Sequence, residues 1–307
     1  AQVFSGKISN WKTLGGPDAP IDLHLPDDSS GLAQAIHDQV MRPALLDFAQ
    51  EITRHDDLAE LAAAVEKDSL SIGITSYAEQ HGTAILTLSG SCGFSLDVSR
   101  LAIKTEDYPL TAPMFLYFPA RRLPQIAREF LSFTRSPNAQ LVIRRAGFVD
   151  QTAEEIPVEE QGNRFANAIA VAGPEISLDE LKMMTATLTP MARLTTSFRF
   201  EAGSVRLDAQ SRSNVQQLAR ALEVGQYDTR RLLFVGFSDG KGAAFANREI
   251  ALRRAEAVRQ AVIAAAITVN LDRVALDVDA FGEAMPMACD DSAWGRQANR
   301  RVEVWVR

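Results

Sequence analysis

An aspartate and an arginine stand at opposite ends of one short stretch of this chain. Asp239 lies in a glycine-rich turn that follows the apolar run 232–237, and Arg254 lies in the helix-type sequence after the turn. A carboxylate binds an ammonium group, whereas the planar fork of a guanidinium binds a carboxylate. The two residues therefore predict either an ordinary salt bridge or a site for a zwitterionic ligand, and their spacing alone favours the salt bridge.

Three neighbouring residues add hydrogen-bonding groups to this stretch. Ser238 supplies a hydroxyl, Gly240 supplies a backbone N–H near a helix N-terminus, and Asn247 supplies an amide. Asn247 precedes Arg254 by two helical turns, so both side chains are expected on nearly the same flank of the helix. Ser238, Asp239, Gly240, Asn247 and Arg254 thus form the main candidate binding site.

A second group of residues has the form of a weak oxyanion site. Ser29, Ser30 and Gly31 stand where a helix is expected to begin, and hydroxyls and free N–H groups at a helix N-terminus attract anions. Asp27 and Asp28 lie beside them and repel an anion. The alternative is that the two serines only cap the helix, and this alternative is the favoured one.

Catalytic and metal chemistry find little support in the sequence. The four histidines are scattered through residues 24–81, and neither Cys92 nor Cys289 has a partner at metal-ligand spacing. No serine or cysteine stands in a recognisable nucleophilic arrangement. We therefore predict a non-enzymatic protein without cofactor or metal. A bridge between Cys92 and Cys289 is one alternative, but two free buried thiols are expected.

Composition and charge describe an ordinary core-forming chain. Its 307 residues suffice for two domains, with 46% hydrophobic and 23% charged residues. The net charge is −7, and it is uneven, since residues 188–307 hold 17 Lys/Arg against 14 Asp/Glu. Without a basic stripe, nucleic acid is not an expected partner. No apolar run is long enough for a transmembrane helix.

The first half alternates short apolar runs with helical patterns, which is typical of an α/β layer with a mostly parallel sheet. The predicted strands are 21–25, 71–75, 84–88, 101–103 and 114–118. The predicted helices are 31–49, 57–67, 124–134 and 138–146.

The join and the second half are predicted as a spacer followed by a compact mixed domain. Residues 152–161 are acidic and irregular and indicate a linker, followed by helices at 162–172 and 177–188. Ser177 and Glu180 form a capping-box pattern. Beyond them the predicted strands are 195–201, 231–237, 273–282 and 301–307, and the predicted helices are 208–224, 244–266 and 292–298. The last strand alternates valines with Glu303, Trp305 and Arg307, as in a half-buried strand.

The second half resembles the OmpA-like peptidoglycan-binding domain. The shared pattern is a strand ending in Gly-aromatic-Ser/Thr-Asp, here 236–239, then Gly242, then Asn247 with Arg254 and Ala255 on a helix, and an Asn-Arg-Arg-Val-Glu ending at 299–303. The resemblance implies that Asp239 and Arg254 hold the amino and carboxyl groups of diaminopimelate in the stem peptide. It also places Arg301 near the site, either as a ligand contact or as a structural tie for the last strand.

The first half resembles the second lobe of periplasmic phosphate-binding proteins. The motifs are VFSGKISNWKTLGG at the start, DSSGLAQAI as an anion loop, SIGITSYAE as a strand and YPLTAPMFLYF near the end. Pro26 and Leu32 replace the arginine and the threonine of the family's loop. The resemblance implies a lobe that is incomplete as it stands, with the other lobe and any export signal expected upstream.

These observations combine into one hypothesis. The predicted fold class is α/β and α+β: a solute-binding-protein-like α/β lobe at 1–150, an acidic linker with short helices at 151–190, and an OmpA-like βαβαβ-type mixed sheet with helices at 191–307. We expect non-catalytic binding of peptidoglycan through diaminopimelate, which anchors the first domain to the cell wall. The expected location is the Gram-negative periplasm, at the wall or the outer membrane. The alternative is a receptor for phosphate or another small anion that is tethered to the wall.

Overall fold

A computed structural model describes residues 1–201 and 204–307 of the chain. The chain divides into two compact units. Unit 1 contains Ala1–Leu86 and Leu110–Asp150, and unit 2 contains Thr87–Pro109 and Gln151–Arg307. The division differs from the predicted boundary because Thr87–Pro109, here called the strap, packs with the second half of the chain.

The elements are numbered in chain order. The strands are β1 Asp22–Pro26, β2 Thr53–His55, β3 Ser71–Gly73, β4 Leu88–Ser89, β5 Ser95–Leu96, β6 Glu155–Ile156, β7 Ala192–Arg199, β8 Arg231–Phe237, β9 Ala275–Gly282 and β10 Arg301–Val306. The α-helices are α1 Gly31–Ile36, α2 Leu58–Lys67, α3 Arg100–Lys104, α4 Gln125–Thr134, α5 Pro137–Arg145, α6 Gly162–Ala170, α7 Leu178–Leu188, α8 Ala209–Glu223, α9 Ala244–Ala265 and α10 Ala293–Asn299. Short 3₁₀ and π turns occur between them.

Unit 1 is built on a three-stranded parallel sheet with the order β2-β1-β3. Leu23 and Leu25 of the central strand pack with Phe4, Ile36 and Met41 in a buried apolar cluster. The parallel sheet and its helices agree with the predicted α/β class. The strand predicted at 114–118 is wrong, because these residues form no strand in the structure and their apolar side chains are exposed.

Unit 2 contains a five-stranded mixed sheet with the order β6-β7-β10-β8-β9. β10 pairs antiparallel with β7 and β8. β8 pairs parallel with β9, and α9 connects these two strands in sequence. The predicted strand at 231–237 and the helix from 244 are confirmed. This is the mixed sheet with helices that the sequence predicts.

Both faces of this sheet are covered, because successive side chains of a strand point to opposite sides. Leu232 and Phe234 of β8 pack beneath α8 and α9 in one core, whereas Leu233, Val235 and Phe237 face α6 and α7 in a second core. The capping box of Ser177 and Glu180 is present at the start of α7. The region predicted as a spacer is therefore part of unit 2, and β6 extends the sheet.

The prediction that the last strand is half buried is wrong. All residues of β10 from Arg301 to Val306 are buried. Glu303 is fully buried and contacts Arg164 at 2.5 Å, Arg301 at 2.7 Å and Arg193 at 3.3 Å. Burial alone would raise the pKa of Glu303, but the three guanidinium groups outweigh it and hold this pKa well below its ordinary value. Because these buried charges are paired, α6 and α7 can cover the second face of the sheet.

The strap is fixed to unit 2 at both of its ends. Cys92 and Cys289 form a disulfide bond, so the prediction of two free thiols is wrong. Asp107 is buried and pairs with the guanidinium of Arg193 at 2.6 Å. Residues 101–103, predicted as a strand, lie in α3, which Ser99 caps by accepting a hydrogen bond from Ala102 N. The two residues of the disulfide bond and of the ion pair are far apart in the sequence, so no local sequence pattern predicts these contacts.

Among the described residues, no helix is both long and apolar enough to cross a membrane.

Candidate functional site

The candidate site lies where β8 ends and α9 begins. Ser238 N donates to the Gly282 carbonyl at 2.9 Å, so the turn continues the pairing of β8 with β9. α9 begins at Ala244 without a side-chain cap from Ala243. Instead, Ala244 N donates to Oε2 of Glu175 at 3.0 Å. A carboxylate from the loop before α7 thus satisfies a free N–H group at the helix N-terminus.

A glycine in β8 sets how closely α9 approaches the sheet. A Cβ atom added to Gly236 would lie 2.0 Å from the carbonyl oxygen of Ala251, which no real side chain tolerates. The helix therefore packs directly on the strand backbone at this point. Arg254 lies one turn after Ala251, and side chains on a helix lean towards its N-terminus. This geometry sends the guanidinium of Arg254 towards the turn at 238–242.

Asp239 is partly buried and already carries partners. Its Oδ2 atom lies 2.5 Å from a guanidinium nitrogen of Arg300, and its Oδ1 atom accepts a hydrogen bond from Lys241 N at 3.2 Å. Its side chain is 13% exposed. The residue that pairs with Asp239 is therefore Arg300, and among the described residues no ion pair joins Asp239 to Arg254.

Arg254 is buried without a carboxylate. Only 2% of the residue is exposed, and its guanidinium lies 5.2 Å from the ring centre of Phe200. Its Nε atom has no hydrogen-bond partner within the described part of the chain. Burial lowers the pKa of Arg254, nearby Arg300 lowers it further, and Asp239 opposes both. The guanidinium is thus held close to Asp239 and keeps unused donor capacity.

Ser238 likewise has a buried polar atom without a hydrogen-bond partner. It is 3% exposed, and its Oγ atom has no hydrogen-bond partner among the residues described. Buried polar atoms without partners are rare in folded proteins and each needs an explanation. Ser238 and Arg254 supply two such atoms beside the partly exposed carboxylate of Asp239.

Asn247 and Gly240 connect the turn to the loop after β9. Asn247 is buried and donates from Nδ2 to Oε2 of Glu283. Gly240 N donates to Oδ2 of Asp290 at 2.7 Å. Burial raises the pKa of Glu283, and Glu175, Asp290 and Asp239 add to that increase, while the bond from Asn247 lowers it. One side of the site is therefore acidic, whereas Arg254 and Arg300 make the other side basic.

Arg301 lies away from the site surface. It is fully buried, donates to Glu303 and to the carbonyl of Met285 at 2.9 Å, and its guanidinium lies 4.3 Å from the ring centre of Phe237. Burial lowers the pKa of Arg301 to about 9. Of the six residues predicted for this site, the structure brings five together and leaves Arg301 in the interior.

The predicted oxyanion residues of unit 1 are occupied by internal bonds. Ser30 caps α1 by accepting from Ala33 N at 3.1 Å, and Gly31 is the first residue of that helix. Ser29 donates from both its backbone N–H, at 2.9 Å, and its hydroxyl to Oδ1 of Asp27. The carboxylate of Asp27 therefore takes the donors that an anion would need.

Sequence reasoning missed four residues at the main site, namely Arg300, Phe200, Glu283 and Asp290. Arg300 stands in the same Asn-Arg-Arg-Val-Glu stretch as Arg301. The alternation of side chains between the two faces of the predicted last strand could have shown that the two arginines point in different directions. Because Arg301 is the first residue of the strand and points inward, Arg300 lies outside the strand and reaches Asp239. No described group of three His, Cys, Asp or Glu residues has the geometry to hold a metal ion.

Two family models match this chain. Residues 199–300 match the OmpA family, and residues 1–138 match a PBP superfamily domain. The OmpA match contains every residue of the main site except Arg301, and the PBP match contains Ser29, Ser30 and Gly31.

Similar proteins fall into the same two groups. The phosphate-binding protein PstS of Borreliella burgdorferi is 23% identical over 48% of this chain and 55% of its own length. PstS of Bacillus subtilis is 27% identical over 53% of this chain and 52% of its own length. The chain thus spans about half the length of these relatives.

One of the similar solved structures is the peptidoglycan-associated lipoprotein from Burkholderia pseudomallei. It is 25% identical, with a TM-score of 0.32, over 36% of this chain and 90% of that protein. The parallel sheet of unit 1 and the mixed sheet of unit 2 agree with the two matches, and the chain contains a PBP-like domain followed by an OmpA-like domain.

Proposed function

We propose that unit 2 binds peptidoglycan through the diaminopimelate of the stem peptide. The ligand's free end carries an ammonium and a carboxylate on one carbon atom. The site offers an acidic side, formed by Asp239, Glu283 and Asp290, and a basic side formed by Arg254 and Arg300. A zwitterion bound across them meets an opposite charge at each end.

The single observation that carries this proposal is the pair of buried donors without partners. Ser238 Oγ and Arg254 Nε are both shielded from water and unbonded among the described residues. A buried unsatisfied donor costs about 1–3 kcal/mol, so a ligand carboxylate that accepts from both recovers that energy. Asp239 then receives the ammonium and shares its charge with Arg300.

The proposal makes the protein a non-catalytic anchor of the cell envelope. Peptidoglycan of the diaminopimelate type lies in the periplasm of Gram-negative bacteria, and binding there would hold the PBP superfamily domain at the wall. Arg301 takes a structural role in this proposal, since its guanidinium is bonded inside the core.

A sedimentation assay with purified sacculi tests the proposal. Asp239→Asn and Arg254→Gln should each lower the affinity roughly tenfold or more, since each removes one charge-assisted contact. Asp272→Asn and Arg253→Gln are matched controls, because both residues are exposed and Arg253 lies on the same helix. Retention of both site variants at the wild-type level would exclude the proposed site.

Binding of phosphate by unit 1 is the second candidate function. It is favoured by the match of residues 1–138 to the PBP superfamily domain and by relatives named phosphate-binding proteins. Calorimetry with inorganic phosphate tests it directly. Asp27→Asn should strengthen any binding, since it removes the carboxylate that bonds Ser29, and no heat at millimolar phosphate with either protein would exclude this candidate.

A further inference from the structure

A small pocket lies next to the candidate site, between α7 and the first turns of α9. Its apolar wall consists of Ile176, Met183, Phe281 and Ala284, and its polar wall includes Arg248 and Glu283. The cavity volume is about 10 Å³, which holds one water-sized group. Ile176, Glu180 and Met183 lie outside residues 199–300, so the match to the OmpA family does not include that side of the pocket.

The pocket and the candidate site share one residue. Glu283 lines the pocket and also accepts the hydrogen bond of Asn247. Arg248 directly follows Asn247 in α9, and a Cβ atom on Gly282 would lie 3.2 Å from Arg248 N. The close contact of β9 with α9 thus places the pocket and the site side by side along one helix.

Arg248 supplies a positive charge that the described residues leave without an ion pair. Glu180, an acidic residue of the pocket wall, is bonded to Ser177 N at 2.8 Å and to Ser177 Oγ at 2.9 Å. Those bonds lower the pKa of Glu180 more than Arg248 does. A guanidinium beside a small apolar cavity fits a small residue that carries a free carboxylate.

We propose that this pocket is a second subsite that takes the D-alanine following diaminopimelate in a tetrapeptide stem. The alanine methyl group enters the apolar cavity, and the terminal carboxylate pairs with Arg248. Arg254 and Arg248 are separated by about 9 Å along the helix axis. The free end of diaminopimelate and the carboxylate of the next residue are separated by the diaminopimelate side chain and one residue of about 3.5 Å, so one stem peptide can reach both arginines. The inference rests on the proposed binding of diaminopimelate.

Calorimetry on the full chain with two synthetic stem peptides tests the subsite. One peptide ends at diaminopimelate, and the other carries the additional D-alanine. The wild-type protein should bind the tetrapeptide roughly tenfold more tightly, equal to about 1.4 kcal/mol. Arg248→Gln and Met183→Trp should each remove this preference while the affinity for the tripeptide stays unchanged.

The controls separate the subsite from the main site. Arg253→Gln should keep the full preference, because Arg253 is exposed on the same helix. A tetrapeptide amidated at its terminal carboxyl should bind the wild-type protein no better than the tripeptide does. Equal affinity of the wild-type protein for both free peptides would overturn the subsite and leave the proposed function intact. Binding of neither peptide would overturn both.

Discussion

At the scale of single residues, two guanidinium groups and one carboxylate determine the charge distribution of the site. Asp239 holds Arg300 at 2.5 Å, and Arg254 remains buried beside them without a carboxylate of its own. The pKa of Arg254 is lowered by burial and by Arg300, so adding an anion there relieves an existing electrostatic cost. For this reason the proposed function places the ligand carboxylate on the side of Arg254.

Glu106 in the strap is a second residue whose charge matters. Burial raises its pKa to about 7, although Arg199 opposes the shift. Its backbone carbonyl accepts from Arg199 at 2.8 Å, and its φ of 59° holds it in the left-handed region. The strap therefore keeps a carboxyl group in a place that disfavours its charge. Unit 2 has no histidine, since all four lie within residues 24–81.

We predict that Glu106→Gln stabilises unit 2 at pH 8 and has no effect at pH 4. The ordinary pKa of 4.5 applies to the unfolded chain and the raised value of about 7 to the folded one. Stability is therefore fully present below pH 4.5 and falls as the pH rises towards 7. Replacing the carboxyl should recover about 1–3 kcal/mol at pH 8. Urea unfolding at the two pH values measures the difference.

Glu201→Gln is the control for that prediction. Glu201 is exposed and pairs with Arg206 at the surface at 2.8 Å, so its replacement should change the free energy of unfolding little at either pH. An equal effect of Glu106→Gln at pH 4 and pH 8 would show that Glu106 does not carry the proposed titration.

At the scale of elements, the strap is the least expected part of unit 2. The family match to the PBP superfamily domain includes its sequence, yet it packs against β7 and the loop before α10. Cys92 reaches Cys289 next to Asp290, and Asp107 reaches Arg193 and lies 3.6 Å from Arg199. The strap thus connects the loop that supports Gly240 with the centre of the sheet.

We predict that Cys92→Ser combined with Cys289→Ser lowers the free energy of unfolding of unit 2 by about 2–5 kcal/mol, because the bridge closes a loop with a sequence separation of 197 residues. Urea unfolding followed by tryptophan fluorescence in a Trp11→Phe background reports the change, because Trp294 and Trp305 both lie in unit 2. A dithiol reductant added to the wild-type protein should give the same loss and should leave the double variant unaffected. An unchanged unfolding midpoint in both would contradict this role of the bridge.

Much of unit 2 follows from local sequence patterns. The apolar run of β8, the capping box at Ser177 and the long helix α9 were all predictable, because each depends on neighbours within one or two turns. The strand, the short turn and the helix predict that Asp239, Asn247 and Arg254 lie near one another. Their interpretation as a ligand site came from the resemblance to the OmpA-like domain, because their spacing alone favoured a salt bridge between Asp239 and Arg254.

Other features depend on contacts between distant residues and were not predictable. The charge on Glu303 indicated an exposed face, but Arg164 and Arg193 arrive from α6 and β7 to neutralise it. The apolar residues 101–103 suggested a strand, but Ser99 begins a helix there. The pairing of Asp239 with Arg300 likewise needed β10 to be placed beside β8.

At the scale of the whole molecule, the chain combines a PBP-like domain with an OmpA-like domain. The PBP-like domain contains a small parallel sheet. In its predicted anion loop, Asp27 accepts the hydrogen bond of Ser29 N that an anion would need. The OmpA family domain contributes a site with two buried donors that lack partners in the described structure. Ser238 and Arg254, whose atoms without partners support the proposed function, both lie in the second domain, and the proposed binding of the cell wall is therefore a property of that domain.

Titration of the full chain with free meso-diaminopimelate tests this assignment most directly. 1,5-Diaminopentane is the matched control ligand, because it keeps both ammonium groups of diaminopimelate but has no carboxylate for Arg254 and Ser238. The account predicts saturable binding of diaminopimelate, loss of that binding in Arg254→Gln, and no saturable binding of 1,5-diaminopentane at the same concentrations. Equal binding of both ligands, or binding of diaminopimelate that survives in Arg254→Gln, would contradict it.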